Sequence, residues 1–439
     1  MTIVSGAWER LDPDVRTAMI EKGKVSWAGI YEGVATKNKQ WRPLRPPLMT
    51  RSAYASLTSL TARLAGLVLE VCRRRASTVG ELRERLGVPA GLIEFLDESA
   101  PLTDDLIVAV RPDVLMSDGV PKFVECNVDS ALGGAFDSDG IARRFLAAYA
   151  DVPVPLSVPE SAVDARFHAM RDQLGLGPGA TSVILFHMGS DYPDTQDGHT
   201  LIKLLEPVRD RGRAAGLDVV VYPLEWLTFS DGRLWADSTA LDSVLRMFIP
   251  QDVPHGDGYD ALVTALRAGA TRMFTPSATW LLANKATFAW LWEDVDLLSA
   301  ADAALVREHV PYTRLVTDAS VGPRDGLVLK PTGTYGGSGV VVGREVTDAE
   351  WDSALRSAVA SGGHIVQAYV PVDRLDMQFV EMATGSVRSA SVPYCVAPYL
   401  FGGRAAGAYL RFAVPDASSG SIVNLGQGAL TSGLLLTDD

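Results

Sequence analysis

The stretch LKPTGTYGGSGV, Leu329 to Val340, constrains the fold of this 439-residue chain more than any other. Four glycines, Gly333, Gly336, Gly337 and Gly339, stand within seven residues. Glycine loses the most backbone freedom on folding, so such a run calls for a reason. A Walker loop needs GxxxxGK[ST], and here Val340 follows the last glycine. A dinucleotide fingerprint needs a strand, GxGxxG and then a helix, whereas VVVG continues as a strand. What is left is strand, glycine loop, strand, with Lys330 ending the first strand. Backbone N–H groups of such a flap can lie over phosphates while the lysine adds a point charge. An ordinary glycine-rich hairpin is equally compatible with the stretch taken alone.

A second feature is the strand end FVECNVDSA, Phe123 to Ala131. Period-two geometry puts Glu125 and Asn127 on one face. A carboxylate and an amide oxygen there are hard ligands suited to Mg²⁺, though a solvated strand end has the same pattern. The small residues SALGG that follow allow substrate or backbone to come close.

Other chemistries are excluded or unsupported. Cys72, Cys126 and Cys395 stand far apart, which removes a zinc ribbon, a redox CxxC and a disulfide framework. No HExxH and no GxSxG occurs. A net charge of −13 argues against a nucleic-acid partner. No uncharged apolar run reaches the ~20 residues of a membrane span, and the first residues lack a signal-peptide pattern. The expectation is no membrane association and a cytoplasmic location.

Along the chain, residues 50–100 read as helical, with Leu57, Leu60, Leu64, Leu67 and Val71 at helical spacing. Arg73, Arg74 and Arg75 would close that helix against its negative dipole end. TVGELRERLGVPAGLIEFLDE predicts a short helix pair. Residues 105–131 predict a hairpin around a Ser-Asp-Gly turn, and the proline-rich 151–160 a linker. TSVILFH, a helix over about 200–215 and LDVVVYP predict a parallel βαβ unit. TWLLANKATFAWLWEDV predicts one amphipathic helix carrying Asn284 and Lys285. Mostly strands follow, interrupted by a helix opened by a Thr347-x-x-Glu350 capping box. The expected division is 1–100 helical, 101–150 strand hairpin, 151–275 βαβ module and 276–439 nucleotide-binding region.

Seven short pieces in order, RPD (111–113), VECNVDSALGG (124–134), LDSVLRMF (241–248), ANK (283–285), LKPTGTYGGSGVVVG (329–343), VQAYV (366–370) and AYLRFA with VNLGQG (408–413, 423–428), resemble the ATP-grasp superfamily. The branch they are most similar to is the circularly permuted one of glutathione synthetase and glutathionylspermidine synthetase. The resemblance spans residues 105–430; residues 1–100 match nothing in it.

The resemblance implies an α/β (α+β) fold of ATP-grasp architecture, with an N-terminal helical region and a βαβ module. It implies an ATP-dependent carboxylate–amine ligase working through an acyl phosphate, with ATP and Mg²⁺ as cofactors. A kinase stopping at phosphoryl transfer and a catalytically silent ATP-binding partner protein are the alternatives. Carried over by motif, Lys285, Lys330, Gly336, Gly337, Ser338 and Gly339 bind the triphosphate. Gln367, Tyr369 and Val370 lie at the hinge beside adenine. Glu125 and Asn127 hold the metal, Arg111 and Arg411 are catalytic, and Ser130 and Arg246 bind substrate. Glutathione-type members place a glutamate inside the loop, where this chain has Thr334 and Tyr335. Asp376 or Glu381 is the expected replacement as metal ligand. The implied partners are a small carboxylic acid and an amine, of amino acid, peptide or polyamine type; homodimerisation stays open.

Overall fold

A computed structural model describes residues 5–34, 38–189, 197–415, 423 and 428–439. Its centre is a seven-stranded antiparallel sheet built on the long strand Val387–Phe401. The first half of that strand pairs with Arg374–Glu381; its second half pairs with Arg404–Phe412 and with Ala109–Ser117. Val120–Val128, Trp41–Pro43 and Leu430–Ser432 complete the sheet. Side chains alternate across it as period two demands. Tyr394, Val396, Leu410 and Phe412 join a core with the helices Arg51–Arg73 and Ala286–Glu293. Tyr399, Phe401 and Tyr409 face the opposite way, against the helix Ala162–Leu174.

The helix Arg51–Arg73 is long and apolar enough to cross a membrane by length and composition alone, yet 56% of its most apolar window is buried in the protein. Each arginine at its end has acidic company: Arg73 meets Asp104, Arg74 meets Glu70, and Arg75 meets Glu293 and Asp294. Ion pairs as well as the helix dipole therefore account for the basic run.

Two four-stranded sheets accompany the large one, along with a three-stranded and a two-stranded one. Arg272–Phe274, Ser243–Arg246, Thr181–Phe186 and Asp218–Pro223 form a parallel sheet in that order. The helix Gly198–Ala214 makes the crossover between its third and fourth members. The other is antiparallel, in the order Thr313–Leu315, His364–Ala368, Leu327–Pro331, Val341–Val342. Against it packs Asp348–Ser361, whose Trp351 and Leu355 meet Leu329 and Val366. Thr347 and Glu350 form the capping box.

One sequence expectation about the elements needs correcting. Only Val79–Arg85 of the anticipated helix pair is helical; Gly87 and Gly91 adopt left-handed φ around Pro89, and the rest is turns. The strands carrying Glu125, Arg411 and Lys330 do not form one layer. The first two share the large sheet, but Lys330 belongs to the small antiparallel one, where Leu327–Pro331 is paired on both edges.

Phe412 is fully buried in the main core. Phe412→Ala should cost about 3–5 kcal/mol, because the large sheet and its helices cannot collapse onto the space left. Urea unfolding should show the midpoint falling at unchanged slope.

Candidate active site

The site begins at the hairpin Ala109–Ser117/Val120–Val128. Asp118 and Gly119 both have positive φ, 50° and 79°, as a two-residue type I′ turn requires. Asp373 holds the turn by accepting from the N–H groups of both at 2.9 Å. From the turn the register runs Ser117↔Val120 to Val114↔Phe123, then shifts so that Asp113 opposes Glu125 and Arg111 opposes Asn127. Val124 is the extra residue, a β-bulge. Without it Asp113 would oppose Val124, and Glu125 and Asn127 would point to the other face. The bulge thus gathers Arg111, Asp113, Glu125 and Asn127 on one surface.

Arg411 reaches the same surface from Arg404–Phe412, its Nη2 lying 2.7 Å from Asp113 Oδ1 and 3.2 Å from Cys395 Sγ. Burial alone would raise the Asp113 pKa, but Arg411 and Arg111 outweigh it and hold the carboxyl below its ordinary value. The charge of Asp113 in turn overcomes the burial of Arg411 and keeps the guanidinium firmly protonated. Arg111 donates to Gly133 O at 2.9 Å and stands over the Tyr399 and Tyr409 rings. The Nε atoms of Arg111 and Arg411 are buried without a hydrogen-bond partner among the described residues. Gly134, at φ 81°, lies so close to Tyr409 that a Cβ would sit 2.5 Å from the ring.

Two lysines face this surface, Lys330 from the small antiparallel sheet and Lys285 from the cap of the helix Ala286–Glu293. Lys330 Nζ donates to Gln367 Oε1 at 2.6 Å and to the carbonyl of the bulged Val124 at 3.3 Å. Gln367 passes the constraint on by donating to Thr313 Oγ1 at 3.0 Å. Its side chain therefore orients Lys330. Lys285 lies 3.4 Å from Glu125 Oε1 and also donates to Thr334 O in the glycine loop. Asn284 and Lys285 do not sit within a helix: they form the break between Thr279–Ala283 and Ala286–Glu293, with Lys285 at the N-cap. The break fits the backbone contact from Lys285 N to Thr332 O at 3.0 Å.

Two adjoining cavities result. Val328, Val342, Ala368, Tyr369 and Val370 line the first, which is apolar at one end and holds Lys330, Lys285 and Glu125 at the other. The N–H groups of Ala368 and Tyr369 are taken by Tyr312 O and Gly326 O. Val370 N–H has no backbone partner among the described residues. The second cavity, of about 340 Å³, opens onto Arg111, Asp113, Glu125, Asn127 and Arg411. Gly336, Gly337 and Gly339 all have positive φ in the loop above. Gly337 lines the first cavity and Gly336 the second, whereas Gly339 packs on Pro331.

Besides Gly339, five expected residues line neither cavity: Ser338, which lies on the far side of the loop, Ser130, Arg246, Asp376 and Glu381. Ser130 is fully buried, its Oγ 3.4 Å from Asp129 Oδ1. Arg246 is buried with Nη2 2.9 Å from both carboxylate oxygens of Asp129, and it also donates to Phe248 O. Its guanidinium is spent on Asp129, which does line the second cavity. Asp376 is exposed and lines neither, with its backbone carbonyl accepting from Arg45. Glu381 is likewise occupied elsewhere, by Gln40 and Thr384. Residues 424–427 of VNLGQG lie outside the described residues. The residue that sequence reasoning missed is Asp113; its spacing of two from Arg111 was the available signal.

No group of three or more His, Cys, Asp or Glu side chains forms a metal cluster among the described residues. The oxygen donors of Asp113, Glu125 and Asn127 still suit a cation that takes few protein ligands and retains waters or phosphates.

Lys330 has its pKa lowered from 10.5 to about 8, first by burial, with Lys285 adding to the effect and Glu125 and Asp113 opposing it. The folded apo protein therefore holds fewer protons than the unfolded chain between about pH 8 and 10.5. The cost of burying the charged lysine is present at pH 7 and relieved as pH rises through that window. An anion bound beside Lys330 favours the charged form. Magnesium–nucleotide binding should take up a proton at pH 8.5 and little at pH 6.5, and affinity should fall above about pH 8. Calorimetry in buffers of different ionisation enthalpy reads this directly, and the pH-dependent uptake should vanish in Lys330→Ala.

No protein-family model matches the chain, and no curated protein sequence matches it. Among solved structures, it is similar over 98% of both chains to a glutathione synthetase-like effector from Globodera pallida in its apo form, at 12% identity and a TM-score of 0.59. A protein of Methylobacillus flagellatus KT provisionally named gamma-glutamylcysteine synthetase aligns over 85% of this chain and 87% of its own, at 12% identity and TM-score 0.39. D-alanyl-alanine synthetase A of Vibrio cholerae aligns over 51% and 68%, at 13% identity and TM-score 0.29. The fold is α/β and ATP-grasp-like, shared along nearly the whole chain with the glutathione synthetase-like effector.

Proposed function

We propose that the chain is an ATP-dependent carboxylate–amine ligase that joins a small acid to an amine through an acyl phosphate. The observation that carries the reading is the convergence of Lys285, Lys330, Arg111 and Arg411 on the oxygen donors Asp113, Glu125 and Asn127, beneath a glycine loop. Such chemistry depends on positioning and charge neutralisation and needs no protein nucleophile. That agrees with a cleft in which no nucleophile–base pair stands among the described lining residues.

Adenine fits the apolar end of the first cavity, where Val370 N–H is the available donor. Lys285 and Lys330 face the triphosphate, and Gly336 and Gly337 bring bare backbone over it. Glu125 and Asn127, with Asp113 behind them, would hold Mg²⁺, which supplies charge neutralisation at the phosphates when bound. The acid's carboxylate docks at Arg111 and Arg411 in the second cavity. A carboxylate oxygen attacks the γ-phosphorus, and the bond to ADP breaks. The amine nitrogen then attacks the acyl carbon, the carbon–oxygen bond to phosphate breaks, and the nitrogen's proton leaves with phosphate. Arg111 and Arg411 stay charged throughout and orient both carboxylate and phosphoryl oxygens. Ser130 and Arg246 act at one remove, by fixing Asp129. The four-part division at residues 100, 150 and 275 remains part of this proposal, as do acid and amine substrates of amino acid, peptide or polyamine type.

The reading is tested by incubating the protein with ATP, Mg²⁺ and pooled acids and amines. Phosphate release and a product lighter by one water than acid plus amine are expected. ADP without free phosphate would replace the ligase by a kinase. Lys330→Ala removes a charge-assisted contact worth roughly 1.5–3 kcal/mol, so ATP should bind about tenfold more weakly or worse. Glu125→Gln keeps the side-chain volume but removes a negative ligand. Turnover should fall steeply and recover in part at high Mg²⁺; coincident Mg²⁺ curves for variant and wild type would deny Glu125 a metal role.

A further inference from the structure

A third and larger cavity, of about 810 Å³, lies across the glycine loop from the reaction chamber. The two share Gln251, Trp280, Asn284 and the backbone strip Thr332–Tyr335, so only this neck separates them. Tyr335 lines both cavities, and its hydroxyl donates to Asp252 across the neck. The wall away from the loop is apolar, built by Leu86, Val88, Leu92, Trp290 and Leu315. At the neck, Trp280 Nε1 and Gln251 Oε1 are buried with no hydrogen-bond partner among the described residues. One is a donor only and the other an acceptor only. Buried polar groups are normally satisfied, so a donor and an acceptor left unpaired at the neck call for a ligand with complementary groups. A peptide unit offers both. At the outer wall Arg85, at the end of Val79–Arg85, has no acidic partner among the described residues.

We infer that this cavity seats the amine substrate, and that the substrate is a short apolar peptide entering amino terminus first. Its amino end reaches the reaction chamber through the neck, its backbone C=O and N–H meet Trp280 Nε1 and Gln251 Oε1, and its apolar side chains cover Leu86, Val88 and Leu92. Its terminal carboxylate lies towards Arg85. The volume is within the ~300–1,000 Å³ of pockets that take ligands of that size. A polyamine is the wrong occupant, because the wall carries a cation and no carboxylate other than the Asp252 already engaged by Tyr335. The inference rests on the ligase reading, since only that reading requires an amine.

The test is binding of L-leucyl-L-phenylalanine to the full chain loaded with Mg²⁺ and a non-hydrolysable ATP analogue, followed by saturation-transfer NMR. Leu92 is 41% exposed, so Leu92→Glu should leave the fold intact, with nucleotide affinity as the check. The dipeptide should bind wild type, weaken at least tenfold in Leu92→Glu and not be displaced by spermidine. Arg85→Ala should weaken the dipeptide severalfold and leave its C-terminal amide unaffected. Equal dipeptide affinity in wild type and Leu92→Glu would overturn the proposal, as would spermidine binding in the dipeptide's place. Nucleotide binding without any dipeptide binding would overturn it while leaving the ligase reading standing; failure to bind nucleotide would remove both.

Discussion

The candidate site depends on one irregularity, the β-bulge at Val124. A single extra residue in Val120–Val128 changes which face Glu125 and Asn127 occupy relative to Arg111 and Asp113. The same residue has its carbonyl turned to Lys330 Nζ, 3.3 Å away. One local departure from the ladder therefore assembles the polar face and receives the lysine from the opposing sheet. Bulges re-aim side chains in this way and concentrate beside functional sites.

From the bulge outward, the acids around the site each lie against a cation. Asp113 lies against Arg411, Glu125 against Lys285, and Asp129 against Arg246. Leaving one partner of a buried pair uncompensated is strongly destabilising, so each pair also fixes the segments that carry it. Lys330 departs from this pattern, held by the neutral Gln367 side chain and a carbonyl, and its burial makes the ammonium easier to deprotonate. Lys285 and Lys330 also join separate elements: one tethers the glycine loop, the other ties the small sheet to the large one.

Much of this was readable in the sequence, for identifiable reasons. The Ser117–Val120 turn, the glycine hairpin and the Thr347 capping box are local features whose chemistry is written in adjacent residues. The parallel βαβ unit followed from apolar runs flanking a helix. What was hidden depends on register and on distant partners. Counting back from the turn gives the unbulged pairing, and nothing in FVECNV announces the extra residue. Arg246 looked available for substrate because Asp129 is 117 residues away in sequence. Asn284 and Lys285 looked helical because their flanks are; the break follows from the contact with Thr332. Asp376 was chosen as an acid on a nearby strand, but the pleat turns it away from the cleft.

The central claim is that nucleotide binds between the bulged hairpin and the small antiparallel sheet. Hydrogen exchange followed by mass spectrometry, with and without Mg²⁺ and ADP, tests it most directly. Nucleotide should slow exchange together in peptides covering residues 120–128, 332–340 and 365–370, which are separate in sequence and meet in this cleft. Protection confined to the carboxyl ends of the parallel strands, around residues 187–189 and 223–227, would contradict the account and move the nucleotide to a different site.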